Sequence, residues 1–212
     1  MWLVFLCMLV AYLIQRHLDH KKSANEATIT VPDVSISSKL LKEHESDTYD
    51  LTYKSAWIAI HNDAVNSENL EYVLKSHDIQ AEVLLFQPTN GWTILSAEEL
   101  PDLNETEHTI VLLDILEELS SRLGEIQYFA NHRTVHYYAW AKFEDGKMKR
   151  AYSYEWDTMM DEGEQTAIEK SIFPSYMHNG ELLPDEELVL KIAEEWSFVP
   201  EGMILSKRLI LY

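Results

Sequence analysis

A single cysteine, Cys7, leaves the chain without any internal disulfide, so packing and polar contacts must hold its fold together. Cationic side chains are also scarce: 17 Lys and Arg stand against 36 Asp and Glu, for a formal net charge of -19. A field of that sign repels phosphate backbones and anionic headgroups, which makes nucleic acid a poor partner and a basic protein or a cation a better one. The six glycines form neither a G-x-G-x-x-G turn nor a phosphate loop, and the chain has no G-x-S-x-G elbow and no H-E-x-x-H pair. No cofactor is therefore expected, and the missing motifs weigh against an enzyme. Metal ligands are equally sparse. His61 and Asp63 could supply two, but no third is recognisable. His132 and His136, four apart in a strand, would lie about 13 Å from one another.

What is present divides into three parts. Trp2 to Ile14 (WLVFLCMLVAYLI) carries no charge and is followed by Arg16, His17, His20, Lys21 and Lys22. As a helix this run spans about 20 Å, against about 30 Å of hydrocarbon, and Leu18 with a snorkelling Arg16 can lengthen it. Residues 1–22 thus read as a membrane anchor with a basic flank. The positive-inside rule then places the C-terminal domain in the cytoplasm, as a single-pass protein. An export signal and a packed helix of the domain are the alternatives. Residues 23–50 are polar and read as a linker, and residues 51–212, rich enough in apolar side chains for a sizeable core, form the acidic globular domain.

Within that domain the pattern is α+β: an antiparallel sheet with helices packed on it. Tyr53 to His61 and Ile79 to Phe86 read as strands, with a helix between them capped at Ser67 and buried through Leu70, Val73 and Leu74. Asn90-Gly91 marks a type I′ turn into a strand over Trp92 to Leu95, and Ser96 with Glu99 suggests a capping box before Pro101. Leu112, Ile115, Leu116, Leu119 and Leu123 recur at helical spacing and stop at Gly124. A last helix is expected over Asp185 to Trp196, after Pro184, and a last strand over Met203 to Tyr212. Acidic Asp157 to Glu164 reads as a loop.

Glu125 to Trp156 is the most informative stretch. A turn at Asn131-His132 and a type I′ turn at Asp145-Gly146 give a three-stranded meander in which Tyr128 faces Val135, Ile126 faces Tyr137, Ala139 faces Tyr152, Tyr137 faces Tyr154 and Val135 faces Trp156. Arg150 then falls on the buried face opposite Ala141, where it needs a carboxylate. The other face carries His136 across from Glu155, with Tyr138 and Trp140 beside them. His132, Arg133, His136, Tyr138, Trp140 and Glu155 are accordingly the candidate binding residues. If they formed an enzyme site, Arg133 would hold an anion and His136, oriented by Glu155, would move a proton. The bland alternatives are a cross-strand polar pair and a face covered by the Asp185–Trp196 helix as a second core layer; the second is favoured over an open recognition surface.

The segments GEIQYF, HR, AWA and RAYSY between Gly124 and Tyr154, with EEW-S and Pro200 near the end, resemble a family of uncharacterised bacterial proteins. The resemblance covers about half of the chain, leaves out the apolar N-terminus, and implies an α+β fold and a bacterial source. The functional expectation is a membrane-tethered, non-enzymatic acidic binding protein, by analogy a toxin-neutralising immunity protein, whose partner would be basic. A structural or accessory membrane protein and an enzyme near His132 are the alternatives. The oligomeric state has no signature in the sequence.

Overall fold

The computed structural model describes residues 48–52, 55–61, 65–87, 89–97, 100–104 and 106–212. The apolar segment, its basic flank and most of the polar segment lie outside them. Among the described residues no helix is long and apolar enough to cross a membrane. The elements run in the order β1 (Thr48–Tyr49), β2 (Ser55–Ile60), α1 (Ser67–Ser76), β3 (Glu82–Phe86), β4 (Thr93–Ala97), α2 (Thr106–Leu123), β5 (Ile126–His132), β6 (Tyr137–Glu144), β7 (Lys147–Glu155) and β8 (Thr158–Gly163). They continue with α3 (Ala167–Ile172), a short hairpin of β9 (Met177–His178) and β10 (Glu181–Leu182), α4 (Glu186–Trp196) and β11 (Met203–Ile210). Nine of the strands form one antiparallel sheet in the order β1-β11-β3-β4-β2-β5-β6-β7-β8. The expected α+β architecture is therefore present, and its first described strand, Thr48–Tyr49, falls inside the polar segment.

Both faces of the sheet are buried, which explains why its central strand SAWIAI is almost wholly apolar. Ile58 and Ile60 point to α1 and α2, meeting Leu70, Leu74, Leu112, Ile115 and Leu119. Trp57 and Ala59 point the other way, into a layer made by Leu188, Val189, Ile192 and Ala193 of α4. Each of those α4 side chains is removed from solvent, which stabilises the layer by about 2 kcal/mol per large residue. The helix begins where Asp185 accepts a hydrogen bond from Leu188 N–H. On the opposite layer α2 stops at Gly124, whose φ of +96° is one that few other residues adopt.

The meander differs from its expected register at two places. The first hairpin closes through Arg133 to His136 rather than at Asn131-His132, so Ile126 pairs with Phe143 and Tyr128 with Ala141. The offset is even, and the strands keep their faces. The second hairpin starts as expected, with Phe143 opposite Met148, and then a bulge lets Lys142 pair with Arg150. Beyond this point every residue of β7 is turned over: Tyr152 faces Trp140, Tyr154 faces Tyr138 and Glu155 faces Tyr137. Three further expectations fail. Asn66, not Ser67, caps α1, its Oδ1 accepting from Glu68 N–H at 2.8 Å. Ser96 lies in β4 and donates to Ala56 C=O instead of capping a helix, and the acidic segment after Asp157 is the edge strand β8 rather than a loop. Carboxylates on that edge discourage pairing with a further strand.

The bulge places Arg150 on the α4 side, fully buried. There Nε donates to Glu169 Oε1 at 2.7 Å and Nη1 to Asp161 at 2.6 Å and to Glu162 C=O at 3.0 Å. Glu169 is fully buried as well; it accepts from Trp140 Nε1 at 2.9 Å and, through Oε2, from Thr166 N–H and Oγ1 at 2.7 and 2.8 Å. Thr166 and Glu169 form the capping box of α3, so one carboxylate caps a helix and neutralises the guanidinium. Gly163 pairs with Arg150 across β7 and β8, and a Cβ there would stand 2.2 Å from Lys149 C=O. The bulge thus needs a glycine opposite it.

Removing one partner of a buried ion pair strands the other. Glu169→Ala is expected to cost about 3–5 kcal/mol, measured by urea unfolding. The isosteric double replacement of Arg150 and Glu169 by apolar residues should cost less. A Glu169→Ala variant within about 0.5 kcal/mol of the parent would show that the pair is not structural.

Candidate functional site

The ends of six strands meet on one side of the sheet: the starts of β2, β6 and β8 and the ends of β4, β5 and β7. All six candidates except Trp140 belong to this end, but they do not form one constellation. Trp140 is fully buried, stacked on Tyr152 with ring centroids 4.4 Å apart. Tyr138 is buried under the α4 layer. The covered-face alternative therefore holds for both. His132 lies exposed at the end of β5, and Arg133 and His136 lie exposed on the turn that follows, where His136 adopts φ 56°.

The expected partnership of His136 with Glu155 is absent. Register places Tyr137 across from Glu155, because the turn consumes His136 and the bulge shifts β7 by one. Glu155 instead accepts from Asn104 Nδ2 at 3.2 Å, and the His136 ring packs on Trp156 at a centroid distance of 4.1 Å. Arg133 lies 3.9 Å from Glu186, so the cation assigned to bind an anion faces a carboxylate. Among the described residues no group of three His, Cys, Asp or Glu side chains could hold a metal ion.

Beside the turn, on the α1 and α2 side, is a half-open cleft of about 290 Å³ whose lining includes Ser55, Asp102, Tyr128, His132 and Tyr137. The two phenols face one another at 3.5 Å, and Tyr137 accepts a hydrogen bond from Leu103 N–H at 2.7 Å. Ser153 donates to Leu103 C=O at 2.7 Å, so both backbone polar groups of Leu103 are tied to the meander. Burial pushes the Tyr128 and Tyr137 phenols well above the usual tyrosine value, with Asp102 adding to the shift. Such groups stay protonated and donate hydrogen bonds; they do not serve as bases. Nearby, burial raises Tyr138 and then Asp185 and Glu186 raise it further, while Tyr154 is raised by burial and then by Asp157 and Glu181. This end of the sheet is thus electronegative.

Tyr137, Asp102, Asn104 and Trp156 escape a reading of the sequence. Tyr137 reads as one more inward aromatic, Trp156 as its neighbour on the same face, and the Asp-Leu-Asn loop carries no motif. An Asp and an Asn around one apolar residue, between a strand and a helix, is the only local hint that the loop is pinned.

Phenols whose folded pKa exceeds the unfolded one contribute stability that is complete below the unfolded value, near 10, and is lost as pH rises through and beyond it. Tyrosinate absorbance should therefore rise in two parts, with Tyr128 and Tyr137 ionising only as the fold opens. Tyr137→Phe leaves Leu103 N–H without its acceptor and should cost about 1–3 kcal/mol. Complete tyrosine ionisation before any change in far-ultraviolet circular dichroism would contradict the burial of this pair.

Compared with known proteins, the chain matches no family model, no curated protein and no solved structure.

Proposed function

We propose that the chain is a non-enzymatic acidic binding protein, tethered to a membrane by its apolar N-terminal segment, whose partner is a basic protein. The observation that carries this reading is the placement of charge. Between Asp157 and Glu201 stand twelve carboxylates and two lysines, a net -10 of the chain's -19. These residues build β8, α3, the β9–β10 hairpin and α4, and α4 covers one face of the sheet. Just over half of the excess charge therefore falls in this one stretch of the chain, where Asp161 and Glu169 are paired with Arg150. The other carboxylates set the field, and such a field speeds encounter with a complementary surface. Neutralisation of a basic toxin is one use of such a layer. The separation of His136 from Glu155 weighs against an acid–base enzyme at the turn.

Full-length protein in a neutral detergent, immobilised and exposed to basic proteins at low and high sodium chloride, tests the reading. A specific partner should associate about tenfold or more slowly at high salt, because exposed charges are screened over about 8 Å at physiological ionic strength, while its dissociation rate changes less. Association indifferent to salt would remove the acidic layer from the account and leave its charge as a solubility feature.

A further inference from the structure

Trp156 is at odds with the rest of the core. Tryptophans 57, 92 and 140 are 7% exposed or less, whereas Trp156 is 69% exposed. It also adopts φ 60°, in a left-handed region that bulky side chains rarely occupy, so the fold holds a large apolar ring in solvent on an unfavourable backbone. Its neighbour across the gap between turns, His136, has φ 56° and packs its ring against the indole at 4.1 Å. Val135 on the same turn is 40% exposed. The result is a small aromatic and apolar platform at the rim of the sheet.

Acidic residues precede and follow Trp156 in the chain. Glu155 and Asp157 flank the indole in sequence, and Glu181, Asp185 and Glu186 act on the adjacent phenols of Tyr154 and Tyr138, which pair across β6 and β7. The cation at this rim, Arg133, is already set against Glu186. An indole face with negative charge near it attracts a guanidinium or ammonium twice, through the ring quadrupole and through the field. The same acidic residues disfavour an anionic lipid surface.

We propose that Trp156, packed against His136 and next in the chain to Glu155 and Asp157, is the anchor on which the basic partner docks an arginine or lysine side chain. The proposal rests on the acidic-binding reading and gives it a location and a chemistry. The His136 contact restrains the indole on one side, which reduces the side-chain freedom lost when the cation settles on it. A flat aromatic anchor with a polar rim is the usual form of an interface hot spot.

The test uses full-length protein in neutral detergent and two probes, a nona-arginine peptide and its nona-glutamine analogue, with affinity followed by titration. The arginine peptide should bind far better than the glutamine peptide. Trp156→Ala should weaken that binding about tenfold, as expected for loss of a cation–π contact. Trp156→Gly should weaken it equally while melting no lower than the parent, because glycine suits the left-handed backbone. Location is separated from total charge by two double variants that remove the same charge. Glu181→Gln with Glu186→Gln should weaken binding several-fold more than Glu68→Gln with Glu71→Gln on α1. If the tryptophan variants bind like the parent and both charge pairs act alike, the docking site is overturned while acidic binding stands. If nona-arginine binds no better than nona-glutamine, both fall.

Discussion

The contact on which the remainder of the structure depends is that between Arg150 and Glu169, two opposite charges fully removed from water and joined at 2.7 Å. Either alone in that environment would cost more than a small domain can tolerate. Together they fix three things. Arg150 reaches Asp161 and Glu162 and so holds the edge strand β8 to β7. Glu169 closes the capping box of α3 and so starts a helix of only six residues. Its bond to Trp140 Nε1 ties both to the aromatic stack of Trp140 and Tyr152 beneath α4.

The bulge at Lys149 is what makes the contact possible. Without the extra residue Arg150 would face the α2 layer, where the buried face is built from Ala139, Ala141 and Phe143, and away from Glu169. With it, Tyr152 and Tyr154 pass to the α4 side, and Ala151 and Ser153 to the other. Ser153 then holds Leu103, and Leu103 meets Tyr137, so the cleft on one face follows from the ion pair on the other. The same shift carries Glu155 away from His136 and leaves His136 to support Trp156. Packing of the acidic layer and exposure of its aromatic platform thus share one cause.

Features set by neighbours in the chain were legible in the sequence. The α2 helix, its stop at Gly124, the Asp185 start of α4 and the Asn90-Gly91 and Asp145-Gly146 turns all depend on residues within a few positions of one another, and all are present. Arg150 could also be recognised as a buried cation in need of a carboxylate. Its partner was less accessible, although Thr166 and Glu169 have the spacing of a capping box. The register beyond Met148 was not legible, because it depends on Gly163 and Glu169, fourteen and twenty residues past the bulge at Lys149. The strand β8 was hidden for the same reason: an acidic segment reads as a loop until Arg150 gives one of its carboxylates a partner. Of the candidate site, His132, Arg133 and His136 were found on an exposed surface, while Tyr138 and Trp140 had the second reading, a covered face, that the fold adopts.

The central claim, that one buried ion pair organises the α4 layer, is tested most directly by amide hydrogen exchange on Arg150→Met. The account predicts that protection falls first and most in β8 and α3, then in α4, while β2, α1 and α2 exchange as in the parent. Equal loss of protection throughout the domain, or unchanged protection in β8 and α3, would contradict it.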